Sequence, residues 1–121
     1  KLEQLPSTAT TIMGLISKDD ASGQRSYHMR ISTADKLLVS YLDTAGETSS
    51  GSDDAIFVVG DVGNWVHIAT SVDISAKTFE IYKNGSLVAD TVSQTGTTTI
   101  KNGTAPFLIG ALTLDYNILM V

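Results

Sequence analysis

The stretch TFEIYKNGSLVADT, residues 78–91, contains the turn that decides the fold. Two runs of β-forming residues flank Asn84-Gly85, the pair preferred at the centre of a type I′ turn, where both central residues need a positive φ. In the first run Phe79 and Ile81 alternate with other side chains, as in a strand that buries one face. The stretch therefore predicts an antiparallel β-hairpin.

The segment upstream, WVHIATSVD at residues 65–73, predicts the strongest strand of the chain. One face of this strand carries aliphatic and β-branched residues, namely Val66, Ile68, Thr70 and Val72. The other face carries Trp65, His67, Ala69 and Ser71. This alternation predicts a strand with two chemically different sides, and we expect it to precede the hairpin in one sheet.

Outside this region, strand and turn signals alternate about every ten residues, the rhythm of an all-β sandwich or barrel. Further strands are predicted at residues 11–18, 25–32, 36–43, 55–59, 97–100 and 106–111. The polar residues 44–54 are predicted to be a surface loop. In the second of these strands, alternation places His28 on a polar side that we expect to face solvent. The apolar residues 118–121 are expected to be a strand interrupted in mid-course or covered by another chain.

Composition excludes several classes of function. The chain has 121 residues, enough for one core, and a formal net charge of −5 with its 8 Lys and Arg residues scattered singly. Such a chain is poorly equipped to bind nucleic acid or an anionic membrane surface. No apolar run approaches the roughly 20 residues of a membrane helix, so membrane insertion is not expected. The absence of cysteine excludes disulfides and thiolate chemistry.

The order of these motifs resembles the laminin G-like domains of the concanavalin A-like lectin/glucanase superfamily. The most specific part of this resemblance is NWVHIATSVDISAKTFEIYKNGSLV at residues 64–88. The later segment PFLIGA, at residues 106–111, is similar to the strand that follows it in the family. The opening residues 1–20 resemble the segment that ends in a Ser-Lys-Asp-like turn, here Ser17-Lys18-Asp19. The resemblance implies an all-β, antiparallel two-sheet jelly-roll sandwich. We expect residues 1–121 to be a single such domain, incomplete at both ends and part of a longer protein.

Because the superfamily includes glucanases, catalysis has to be considered. The resemblance implies a Glu-x-Asp-x-x-Glu signature on one strand, with its carboxylates acting as nucleophile and general acid. The glutamates of this chain are Glu3, Glu47 and Glu80, and none has an acidic residue two, four or five positions later. No serine has the Gly-x-Ser-x-Gly context of an esterase nucleophile. We therefore expect the chain not to be an enzyme.

Calcium is the candidate cofactor, because laminin G-like domains often bind it at the sandwich rim. Hard cations need several oxygen ligands, and two acidic pairs in predicted turns can supply them. The candidate ligands are Asp19, Asp20, Asp53 and Asp54. The alternative is that these loop carboxylates are simply solvated.

Three residues are candidates for ligand binding: Trp65, His67 and Tyr82. Aromatic faces with polar neighbours are typical of sites that bind sugars. The alternative for Trp65, at the head of a predicted central strand, is burial in the core. The alternative for His67 is a packed, hydrogen-bonded histidine.

These observations predict a non-catalytic binding or adhesion module of an extracellular bacterial or viral protein, at a cell surface or on a virion. It would recognise glycan or protein through its loops or a sheet face. A second hypothesis is a structural domain that decorates a virus particle, fibre or surface filament, with its open edges paired to neighbouring copies. A third is the non-catalytic portion of a carbohydrate-active enzyme.

Overall fold

The computed structural model describes residues 1–19, 24–42, 47–52, 54–92 and 99–110. A short helix, α1, spans Pro6–Ala9, and a single 3-10 turn spans Val59–Asp61. The strands are β1 Met13–Lys18, β2 Tyr27–Ile31, β3 Leu37–Leu42, β4 Glu47–Gly51, β5 Ile68–Asp73, β6 Thr78–Lys83, β7 Ser86–Val92 and β8 Phe107–Ile109. In the described part of the chain, no helix is long and apolar enough to span a membrane.

The strands form two antiparallel sheets. The larger sheet has the order β4-β3-β2-β1-β8, and the smaller has the order β5-β6-β7. Every pairing between neighbouring strands is antiparallel. The prediction of an all-β, antiparallel two-sheet sandwich is therefore confirmed.

The core lies between the inner faces of the two sheets. Phe79 and Ile81 of β6 are fully buried and face the large sheet. The rings of Phe79 and Tyr41 stack across the interface with their centroids 5.8 Å apart. The remaining buried members of this cluster are Leu5, Ile31, Leu37, Val39 and Phe57. Alternation along the strands thus supplies one apolar side to each layer.

The predicted hairpin is present at β6 and β7. Asn84 and Gly85 have φ angles of 51° and 83°, the positive values that a type I′ turn requires. Lys83 pairs with Ser86 across this turn, and the register continues to Thr78 and Val92. The Asn84-Gly85 turn therefore fixes which side chains of β6 face the core.

Some predicted element boundaries are wrong. Residues 47–51 are predicted to be a loop but form β4. Their polar sequence gives no strand signal, and the strand forms because its backbone pairs with β3. Residues 55–59 form no strand: the amide groups of Ile56 and Phe57 both donate to the carbonyl of Asp35, which fixes Phe57 in the core. Residues 99 and 100 are not in a strand, and residues 97, 98 and 118–121 lie outside the described residues.

The prediction that His28 faces solvent is also wrong, since the residue is 1% exposed. It occupies the central strand β2, where it pairs with Ser17 on one side and Ser40 on the other. Both of these serines are buried as well. Alternation assigned His28 correctly to the face opposite Met29, but the outer side of this sheet is covered here.

Candidate ligand-binding face

The side of the small sheet that points away from the core exposes aromatic and apolar side chains. Trp65 is 84% exposed, Val66 is half-buried, His67 is exposed and Ile68 is half-buried. The predicted strand begins three residues too early, because β5 starts at Ile68. The alternation of exposure nevertheless continues through residues 65–67, so Trp65 and His67 share a side with Ala69. The expectation that Trp65 packs in the core is wrong: β5 is an edge strand of the sheet as described, and the other side of the strand faces the core.

His67 is fixed by the hairpin turn. Its amide donates to Oδ1 of Asn84 at 2.9 Å, and the amide of Asn84 donates to the His67 carbonyl at 2.8 Å. These bonds extend the pairing of β5 and β6 by one position. The packed histidine expected as the alternative is wrong for the ring, because His67 is exposed and only its backbone is held.

Tyr82 lies on the same side of the sheet. Its register partners are Ala69 on β5 and Leu87 on β7, and Leu87 is 50% exposed. The Tyr82 hydroxyl donates to Oε2 of Glu80 at 3.0 Å. This hydrogen bond to Glu80 raises the pKa of Tyr82, with smaller contributions from desolvation and from the Glu80 charge.

We refer to this side of the small sheet as the outer face. It includes Trp65, His67, Ala69, Ser71, Asp73, Glu80, Tyr82 and Leu87. The three residues singled out from the sequence therefore share one exposed surface. Glu80 and Leu87 were not singled out; their place becomes clear only once the register across three strands is known.

An ion pair anchors the loop that precedes Trp65. Lys83 Nζ lies 2.6 Å from Oδ2 of Asp61 and donates to the carbonyl of Ile56 at 2.6 Å. The amide of Val58 donates to the same Asp61 oxygen at 2.8 Å. Burial alone would raise the pKa of Asp61, but the bonds from Lys83 and Val58 outweigh it and hold the pKa below its ordinary value. The hairpin and the loop are thus joined beneath the outer face.

A cavity of about 220 Å³ between the sheets offers a different kind of site. It is lined by Lys1 and by apolar side chains, namely Leu2, Leu15, Ile31, Phe57, Val66 and Ile68. Ligand pockets usually combine an apolar lining with several convergent polar groups. Lys1 is the one polar residue among the described residues that line it, so this lining is less suited than the outer face to a hydroxyl-rich ligand.

The calcium candidates are not brought together in the described part of the chain. Asp19 is buried, and its Oδ2 accepts a hydrogen bond from Arg25 Nε at 2.7 Å, so a cation there would meet a guanidinium. Asp54 is exposed, and Asp20 and Asp53 lie outside the described residues. Within the described ranges no group of three His, Asp or Glu side chains is placed to hold a metal. Asp19 therefore fits calcium poorly, and calcium binding by this set stays a prediction.

The register also creates a polar cluster that the sequence did not indicate. Ser17 and His28 are cross-strand partners, and His28 Nδ1 lies 3.6 Å from Oδ2 of Asp19. These are the residue types of a serine hydrolase, but all three are at most 1% exposed. A substrate in solvent does not reach them in this arrangement. The cluster is best described as a buried polar layer on the large sheet.

The two facing antiparallel sheets define a jelly-roll β-sandwich with one exposed aromatic sheet face. The family model for the concanavalin A-like lectin/glucanases superfamily, laminin G type, matches residues 1–117, and the chain belongs to this family. Membership supports a module that binds carbohydrate or protein. Comparisons with curated proteins and with solved structures gave no significant match.

Proposed function

We propose that the chain is a non-catalytic glycan-binding module of an extracellular bacterial or viral protein, and that the outer face is its binding site. The observation that carries the proposal is the 84% exposure of Trp65 on the surface that it shares with His67 and Tyr82. Leaving a large apolar side chain in water forgoes burial worth about 1.5–3 kcal/mol. Binding of a ligand recovers this free energy.

The chemistry of the outer face suits a sugar. An aromatic ring presents a flat apolar surface, which packs against the C–H groups of a pyranose ring. His67 and the Glu80 carboxylate provide polar atoms on the same surface for hydroxyl groups. A protein ligand would be expected to need a larger apolar area than Trp65, Tyr82 and Leu87 provide, so we favour the glycan.

The non-catalytic part of the proposal rests on the carboxylates. The sequence lacks the glucanase signature, and Glu80 accepts the hydrogen bond from Tyr82. Glu3 lies beside Lys1, with Oε1 3.6 Å from Nζ. Release of reducing sugar from a polysaccharide by the purified chain would contradict this part and favour a portion of a carbohydrate-active enzyme.

A glycan array with purified chain tests the binding site. Trp65→Ala should weaken binding by about tenfold or more, because an aromatic anchor contributes about 2 kcal/mol and each 1.4 kcal/mol is a factor of ten. Phe107→Ala is the matched control, since Phe107 is a 53% exposed aromatic residue on the other sheet. Equal effects of the two substitutions, or binding of proteins but of no glycan, would contradict the proposal.

The structural role is a second candidate, favoured by the edge strand β8. Phe107 and Ile109 are 53% and 74% exposed there, and β8 is the last strand of the large sheet as described. Exposed apolar edges are prone to pair with another chain. Ordered assembly at micromolar concentration without ligand, abolished by Ile109→Lys, would support it; a monomer would count against it.

A further inference from the structure

The outer face has an acidic character. All 8 Lys and Arg residues of the chain lie in the described ranges, and none occupies a position on this face. Lys83 is on β6 but points inward, where it binds Asp61. Lys77 lies in the turn between β5 and β6, at the end of the sheet opposite Trp65. An anionic ligand on the outer face therefore finds no cation to neutralise it.

Acidic residues at several register positions give this surface its charge: Glu80 on β6, its register partner Asp90 on β7, and Asp73, which follows Ser71 by two residues on β5. The Glu80 carboxylate is held beside Tyr82 by the 3.0 Å hydrogen bond, on the side of the sheet where Ser71 is its register partner. At a protein surface, a second negative charge brought within several ångströms of a carboxylate is repelled by it. The surface thus discriminates against acidic ligands without any steric obstacle.

The spacing of the aromatic residues sets the size of the ligand. Trp65 precedes Ala69, the register partner of Tyr82, by four residues. An extended chain rises about 3.3 Å per residue, so the two positions are about 13 Å apart along the strand. A single sugar ring is too short to contact both, whereas a chain of several rings can.

We infer that the outer face selects an uncharged oligosaccharide that lies along β5 from Trp65 to Tyr82, and discriminates against sulfated, sialylated and uronic-acid-containing glycans. This inference rests on the proposed function and names the ligand class of the same site. It follows from the exposed aromatic residues, the distance between them and the distribution of charge.

The test is an array of matched pairs, followed by calorimetry. The pairs are N-acetyllactosamine chains with and without sialic acid or sulfate, and xylan oligosaccharides with and without glucuronic acid. The neutral member should bind more tightly in each pair, by about threefold or more. Affinity should rise from the monosaccharide to the longer oligosaccharides and then level off.

The variant Glu80→Gln keeps the acceptor for Tyr82 and removes the charge. The preference for neutral over acidic members should fall by about threefold in this variant. The control is Asp54→Asn, which removes an exposed carboxylate that follows Ser52, a residue bonded to Leu37 of the large sheet, and should leave the preference unchanged. Raising the salt concentration from about 0.1 M to about 1 M shortens the Debye length from about 10 Å to about 3 Å and should narrow the preference in the wild-type chain.

The outcomes separate this inference from the proposed function. Binding that depends on Trp65 but is equal or tighter for acidic glycans would overturn the inference and leave the proposed function standing. A monosaccharide that binds as tightly as its oligomers would overturn the inference in the same way. Failure to bind any glycan through Trp65 would overturn the proposed function, and the inference with it.

Discussion

At the scale of single residues, Lys83 departs most clearly from a simple apolar pattern. It follows Phe79 and Ile81 on the inward side of β6, where a charge is costly unless it is paired. Asp61, the Ile56 carbonyl and the ring of Phe57, 5.8 Å from Nζ to its centroid, provide the compensation. The residue connects the hairpin to the loop before Trp65, so its role is to position the candidate site.

Replacing Lys83 with Met should therefore destabilise the fold. The substitution leaves the half-buried Asp61 carboxylate without its cation, and we expect a loss of about 1–3 kcal/mol in the free energy of unfolding. Urea denaturation followed by circular dichroism measures this quantity. Lys1→Met is the control, because the Lys1–Glu3 pair is exposed and should contribute less than about 1 kcal/mol. Equal losses of unfolding free energy in Lys83→Met and Lys1→Met would contradict the role given to the Lys83–Asp61 pair.

The Lys83–Asp61 ion pair also predicts that the free energy of unfolding depends on pH. The pKa of Asp61 is lowered in the folded state from its ordinary value of 3.8, so the ionised carboxylate stabilises the fold. This contribution is present above pH 3.8 and is lost as the pH falls through the lower, folded-state value. Unfolding free energies measured on acidification below about pH 4 should fall more steeply in wild type than in Asp61→Asn. The same pH dependence of unfolding free energy in wild type and Asp61→Asn would contradict a stabilising contribution from ionised Asp61.

At the scale of elements, the β6–β7 hairpin organises both the core and the outer face. Its turn fixes the register that buries Phe79 and places the half-buried Tyr82 on the outer face. Asn84 adds a side-chain bond to β5 through the His67 amide, so one turn joins all three strands of the small sheet. The candidate site consequently depends on the geometry of a two-residue turn.

Gly85→Ala tests this dependence. A Cβ at Gly85 would meet nothing within 4 Å, so the cost comes from the backbone alone, whose φ is 83°. We expect a loss of about 1–2 kcal/mol, the cost of a left-handed conformation for a residue with a side chain. Gly60→Ala is the matched control: its Cβ also meets nothing within 4 Å, and its φ is not in the positive range. Thermal or urea unfolding of both variants should show a loss of stability only for Gly85→Ala, whereas Gly60→Ala should leave stability unchanged or raise it slightly.

At the scale of the whole molecule, the two sheets meet around the stacked rings of Tyr41 and Phe79. Phe79 is entirely buried, and Tyr41 is 2% exposed. The Tyr41 hydroxyl has no hydrogen-bond partner within the part of the chain that the structure describes. A buried hydroxyl without a partner lowers stability, so the contribution of Tyr41 comes from its ring.

The two residues should therefore respond oppositely to truncation. Tyr41→Phe removes only the hydroxyl and should leave stability unchanged or raise it by up to about 1 kcal/mol. Phe79→Ala leaves a cavity between the sheets and should cost about 3–5 kcal/mol. Equilibrium unfolding measures both. A clear loss of stability in Tyr41→Phe would indicate a hydrogen bond to its hydroxyl and contradict this account of the interface.

The sequence by itself determined what depends on neighbouring positions along the chain. Asn84-Gly85 specified the turn, and alternation assigned Trp65 and Val66 to opposite sides of the segment that leads into β5. The same local order of motifs indicated the family that matches residues 1–117. These features are readable because a turn type and the period of two along a strand are properties of the local backbone.

Only the tertiary structure decided which sides of the strands are covered. His28 and Trp65 both lie on the side opposite apolar neighbours, yet His28 is 1% exposed and Trp65 84%. The difference arises because the outer side of the large sheet is covered around β2, where Ser17 and Ser40 are buried as well, whereas the corresponding side is open at Trp65, just before the edge strand β5. Strand order and the stacking of layers come from contacts between distant residues. Local alternation therefore assigns a side chain to a face but does not determine whether another layer buries it.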